Sequence, residues 1–98
     1  MPSKKDINQA EIEEGLRAAG AYVLSIHEVK NACDLMVFFR DTTYWVEIKN
    51  PEYAPKRKPI ESKLTPGEAK CKDELEYAGG KYHIWLTLEQ ALKEIGAI

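Results

Sequence analysis

The chain has 98 residues, which suits one domain spanning 1–98 and is too short for two. Apolar residues make up 44% and charged residues 31%, which excludes a disordered chain, and no apolar run approaches the roughly 20 residues that span a bilayer. The net charge of −2 argues against a protein that coats DNA with a basic surface, but it leaves room for a carboxylate cluster whose bound metal reverses the local sign.

The start, Met1 to Asp6, is basic and no apolar segment follows it, so a protein that is not secreted is expected. Residues 8–19 read as a helix, with Asn8 as cap, Glu11 at capping-box spacing, Ile12 and Leu16 as an apolar stripe, and Gly20 as the stop. Residues 21–29 are rich in strand formers, and Lys30-Asn31 is a turn. Residues 33–40 are apolar on both faces apart from Asp34 and Arg40, as in a central strand covered on both sides. Residues 44–49 form a third strand in a hairpin with the second.

Residues 50–63 hold three prolines and no periodicity, and form a loop. Thr65-Pro66-Gly67-Glu68 then opens a helix, with Thr65 as cap, Pro66 at the first helical position and Glu68 closing a capping box. That helix runs to about Ala78 and stops at Gly79-Gly80. Residues 81–86 make a fourth strand, and Thr87 to Gln90 is a second capping box, opening a last helix that ends near Gly96. The order α-β-β-β-α-β-α predicts an α/β fold with a mixed central sheet flanked by helices.

The chemistry is concentrated in Asp34 and in Glu47-Ile48-Lys49. Residues two apart on a strand share a face, so Glu47 and Lys49 point the same way. With Arg40 paired to Thr43, an apolar face forms from Tyr44, Val46 and Ile48 against Phe39, Val37 and Leu35. Asp34 then lies opposite Lys49 and diagonal to Glu47 on the other face, whereas a one-residue slip would separate Asp34 from Glu47. Two carboxylates suit Mg²⁺ or Mn²⁺, hard ions that take oxygen ligands and keep waters, and the Ile48 carbonyl is a further candidate ligand. Such a metal polarises a phosphate or lowers the pKa of a bound water. Lys49 would orient or deprotonate the attacking water, or hold the phosphate. An ordinary salt-bridge cluster is the alternative, but charged groups gathered within apolar strands are costly unless paired or metal-bound.

Lys56, Arg57, Lys58 and Lys63 lie just past this motif, where they would contact DNA phosphates or merely solvate the loop. Tyr53 in the same loop could stack on a base. His27 and His83 fall in predicted strands outside metal-ligand spacing and read as structural. Trp45 and Trp85 read as packing residues, and Lys70 and Lys72 as a solvated face. Cys33 and Cys71 lack C-x-x-C spacing and read as reduced thiols, as expected inside a cell.

The hairpin with Asp34 and Glu47-Ile48-Lys49 resembles the core of the PD-(D/E)XK nuclease superfamily, whose fold is restriction-endonuclease-like. From about residue 9 to 95 the chain is similar to VRR-NUC domains, small virus-type replication and repair nucleases. The stretches Leu64 to Glu68, Ala78 to Trp85 and Thr87 to Leu92 carry this similarity along with the motif. Asn31-Ala32-Cys33 stands where the family often has Gly-x-Pro, and Glu68 where it often has glutamine. The resemblance implies a metal-dependent DNA endonuclease, structure-selective on branched DNA such as Holliday junctions, acting as a homodimer. It also implies a phage-like origin, hence a bacterial cytoplasm, with an unidentified replication or repair partner. It places an acidic residue of the first helix near the metal. Glu11 is the candidate, with Glu14 and Gln9 as rivals, and Glu68 could approach the metal as well as cap its helix. A non-catalytic nucleic-acid-binding module and a protein-interaction subunit with a structural salt-bridge network are the competing functions.

Overall fold

The computed structural model describes residues 4–98, and their side chains from residue 8 onward apart from Tyr53. The basic start as far as Ser3 and the stacking suggested for the Tyr53 ring lie outside the described residues. Helix α1 (Lys4–Ala18) leads into β1 (Tyr22–Ser25), β2 (Leu35–Phe39) and β3 (Thr42–Ile48). Helix α2 (Pro66–Tyr77), β4 (Tyr82–Trp85) and α3 (Leu88–Ile95) follow. The four strands form one sheet in the order β1-β2-β3-β4. The first two pairings are antiparallel and β3 runs parallel to β4, so the sheet is mixed as expected.

One face of the sheet is sealed. Ile12 and Leu16 of α1 and Ala91 and Ile95 of α3 pack on Val23, Leu35, Val37, Val46, Ile48 and Trp85. Each apolar side chain buried in this way contributes about 2 kcal/mol. Gly15 allows the approach of α3, because a Cβ there would collide with Leu88. Tyr44, His83 and Trp85 pack edge-on or tilted on this face with centroids 5.2 to 6.1 Å apart, and Glu94 pairs with His83 at 3.4 Å. His83 and Trp85 are therefore packing residues, as their sequence context suggested.

The other face is only half covered, which corrects the expectation for β2. Tyr82 and Ile84 are buried together with Cys33, and Trp45, Ile60, Leu64, Cys71 and Leu75 pack around them. Over β1 and β2, however, Tyr22, Leu24 and Phe38 stand exposed.

The hairpin register also differs from the one expected. The turn residues are Arg40 and Asp41, both with positive φ (48° and 69°), so Phe39 pairs with Thr42 and Leu35 with Val46. A turn one residue later would place the β-branched Thr42 in the left-handed region, where its side chain crowds the backbone. Moving the turn by one residue shifts the register by two, which leaves every side chain on its expected face.

Three further boundaries moved. Helix α1 begins before Asn8, so Asn8 is not its cap, and Glu11 closes no box. Strand β1 ends at Ser25, which leaves His27 in the connection to β2 rather than in a strand. The proline-rich loop contains two short 3-10 turns, Pro51–Tyr53 and Ile60–Lys63. Helix α2 keeps its complete capping box at Thr65 and Glu68. At α3 only half of the box forms: Thr87 caps the Gln90 N–H, while the Gln90 side chain turns back to Leu86 N and Ile84 O. No helix among the described residues is long and apolar enough to cross a membrane.

Candidate active site

Strand β3 presents Val46 and Ile48 to the sealed core and Glu47 to the opposite face, with Lys49 just beyond its last residue. Asp34 immediately precedes β2. Continuing the Leu35–Val46 pairing by one step sets Asp34 against Glu47, not against Lys49 as expected. Both carboxylates are buried, Asp34 at 7% exposure and Glu47 at 1%. The Asp34 carboxylate accepts the Ile48 N–H at 2.8 Å, which fixes its orientation across the two strands. Since the N–H and C=O of one extended residue leave a strand on the same side, the Ile48 carbonyl also leaves β3 on the side of β2.

The Lys49 ammonium bridges two acids, Glu68 at 2.8 Å and Glu47 at 3.5 Å. Its backbone is held on both sides: Lys49 N–H donates to Trp85 O at 3.1 Å, and the Asn8 amide donates to Lys49 O at 3.2 Å. Asn8 is thus a strut from α1 to the end of β3. Glu68 caps α2 and reaches the site with a single oxygen, since Oε1 accepts both Thr65 N–H at 2.9 Å and Lys49 Nζ. Glu68 therefore keeps the capping role expected of it and adds a bond to Lys49. The start of α2 approaches the β1–β2 connection closely at Gly67, where a Cβ would lie 2.6 Å from Asn31 Oδ1.

Burial by itself would raise the Glu68 pKa. Hydrogen bonding with the Glu47 carboxyl, the Lys49 ammonium and the Thr65 N–H outweighs it and holds the group at about 2. Burial likewise opposes the charge on Lys49, but the hydrogen bond to Glu68 and the charges of Glu47 and Glu68 prevail and raise its pKa. Lys49 is therefore an ammonium at neutral pH. Burial, together with the neighbouring Cys71 and Glu47, pushes the Cys33 thiol to about 12, so it is not a reactive thiolate.

Asp34, Glu47 and Glu68 line a cleft of about 410 Å³ whose other polar walls are Gln9, Glu13 and His27. Gln9 donates to Glu13 at 3.2 Å, and Arg17 holds the other Glu13 oxygen at 3.1 Å. The acid that α1 brings to the cleft is therefore Glu13. Glu11 and Glu14 are exposed and do not line it. Helix period explains the difference: residues 9, 12, 13 and 16 share one face, whereas Glu11 projects away from it. Extending the Ile12–Leu16 stripe by that rule would have found Glu13. No comparable signal marked His27, since its position depends on where β1 ends. Lys56, Arg57, Lys58 and Lys63 are exposed outside the cleft.

Among the described residues, no three His, Cys, Asp or Glu side chains converge closely enough to form a metal cage. The donor set fits a different kind of site, in which one or two carboxylates hold a hard cation and water and phosphate oxygens complete its shell. Asp34 and Glu47, with the Ile48 carbonyl beside them, are the residues suited to that task.

No family model matches the sequence, and no curated protein sequence does either. A solved structure described as "VRR_NUC domain" superimposes with a TM-score of 0.66 at 23% identity, covering 95% of this chain and 97% of that one. The chain thus has the fold of a VRR_NUC domain.

Proposed function

We propose that this chain is a divalent-metal-dependent DNA endonuclease that hydrolyses phosphodiester bonds. The observation that carries this reading is the pair of buried carboxylates, Asp34 and Glu47, facing one open cleft with the Lys49 ammonium 3.5 Å from Glu47. Removing two carboxylates from water is costly, and a structural salt bridge would be equally well made at the surface. The likeness in fold to a VRR_NUC domain points the same way.

In this reading Asp34, Glu47 and the Ile48 carbonyl would hold Mg²⁺ or Mn²⁺. The ion supplies charge neutralisation at the phosphate and a more acidic water. The Ile48 N–H keeps Asp34 aimed, and the Trp85 and Asn8 contacts keep Lys49 beside Glu47. Lys49, held as an ammonium, stabilises the charge that builds on the phosphate oxygens. The water oxygen bonds to phosphorus and gives up a proton to solvent, the P–O ester bond opposite it breaks, and the departing oxygen takes up a proton. Lys56, Arg57, Lys58 and Lys63 contact flanking backbone phosphates. Branched DNA as preferred substrate and a homodimer as the working form are proposed on the resemblance alone.

The test is cleavage of labelled linear, flap and four-way-junction DNA with Mg²⁺, with Mn²⁺ and with chelator, for wild type and Lys49→Ala. Metal-dependent cutting that is lost in the variant supports the reading, and the ranking of substrates gives the specificity. Wild type that binds DNA and cuts none of it under either metal would leave the binding-module reading in place.

A further inference from the structure

His27 stands apart from the rest of the cleft. The other ionisable side chains among the described lining residues are Glu13, Asp34, Glu47 and Glu68, all acids. Beside the Lys49 ammonium, which is engaged by Glu47 and Glu68, a DNA backbone entering the cleft meets these acids and His27 as its ionisable lining. His27 is also held in place. The residue before it, Ile26, donates its N–H to the Asp34 carbonyl at 2.8 Å, which fixes the start of the connection relative to the catalytic aspartate. The Ser25 hydroxyl lies 2.7 Å from His27 Nδ1. In the tautomer that accepts the Ser25 proton, and equally in the imidazolium, Nε2 carries a hydrogen available to a ligand. The nearest acid to Nε2, Glu28 at 3.9 Å, is exposed, and surface contacts of this length are weak.

We infer that His27, fixed by Ser25 and by the Ile26–Asp34 backbone bond, is a phosphate-binding residue that holds a non-scissile DNA backbone phosphate on the wall of the cleft through Nε2. This inference rests on the nuclease reading for its substrate but not for its test. A donor at this point gives the strand a second anchor beyond the metal and Lys49, and so sets which phosphate lies over Asp34 and Glu47.

Binding of labelled duplex and junction DNA in chelator, and KM and kcat in Mg²⁺, would be compared for wild type, His27→Ala, His27→Gln and Ser25→Ala. The exposed position of His27 means that thermal melts of its variants should match wild type. His27→Ala should raise Kd and KM about tenfold with kcat changed less than about threefold, the effect of losing one hydrogen bond to a charged group. His27→Gln, which keeps an N–H donor, should recover part of that loss, and Ser25→Ala should show a smaller rise of the same kind. Unchanged Kd and KM in His27→Ala overturn the inference, as does a fall in kcat alone. If wild type binds DNA without cutting it, the nuclease reading fails while the Kd comparison still decides the role of His27. If wild type neither binds nor cuts, both fall.

Discussion

The two faces of β3 lie one residue apart and do opposite work. Val46 and Ile48 are fully buried beneath α1 and α3, in contact with apolar groups. Glu47, between them, is as deeply buried but faces Asp34, Lys49 and Glu68. The apolar face stabilises the fold by leaving water, whereas the charged face costs stability and is tolerated because it is tied into the Lys49 bridge. Alternation along an extended strand lets a small domain carry both without a separate active-site lobe. A strand with one rigid face also holds the groups on its other face in position, as a catalytic constellation requires.

Exchanging one residue on each face would break this comparison most sharply. Glu47→Gln should lower cleavage by ~10²–10³-fold, because the neutral amide weakens the hold on the ion that neutralises charge at the phosphate. It should leave the melting temperature close to wild type or above it, since a buried charge is removed. Ile48→Ala should do the reverse, costing about 3 kcal/mol of stability and lowering Tm by roughly 12–24 °C in calorimetry. A Glu47→Gln protein that melts as early as Ile48→Ala would show that the charged face is structural after all.

A smaller effect is expected where the faces are joined. Asn8→Ala removes the bond from α1 to the Lys49 carbonyl, and should cost about 1 kcal/mol in denaturant unfolding. The accompanying loss of cleavage should be several-fold at most, because Asn8 acts on Lys49 only through the backbone.

A further effect is confined to acid pH. The Glu68 pKa is lowered from 4.5 to about 2 on folding, so its contribution to stability is complete above pH 4.5 and is lost as pH falls toward 2. In Glu68→Gln, stability measured across that window should fall less steeply with acid than in wild type. Parallel curves would show that the Lys49–Glu68 contact does not persist in solution.

Much of this was already legible in the chain. The alternation of Val46, Glu47, Ile48 and Lys49 separated core from site, and Thr65-Pro66-Gly67-Glu68 marked the start of α2 to the residue. Both signals are local, set by strand period and by cap chemistry between near neighbours. The side on which Asp34 lies was also determined, because a turn displaced by one residue shifts pairing by two and preserves parity.

Tertiary structure decided the rest. The partner of Asp34 depended on which turn residues could take positive φ. Helix period puts Glu13 on the face of Ile12 and Leu16, but that this face borders the cleft was decided by packing, and α1 begins earlier than its sequence signals indicate. The double role of Glu68 and the position of His27 required two segments distant in sequence to meet at one cleft. Local sequence sets propensity, period and caps, whereas the meeting of distant segments is set by the packing of the whole core, which no short stretch of the chain contains.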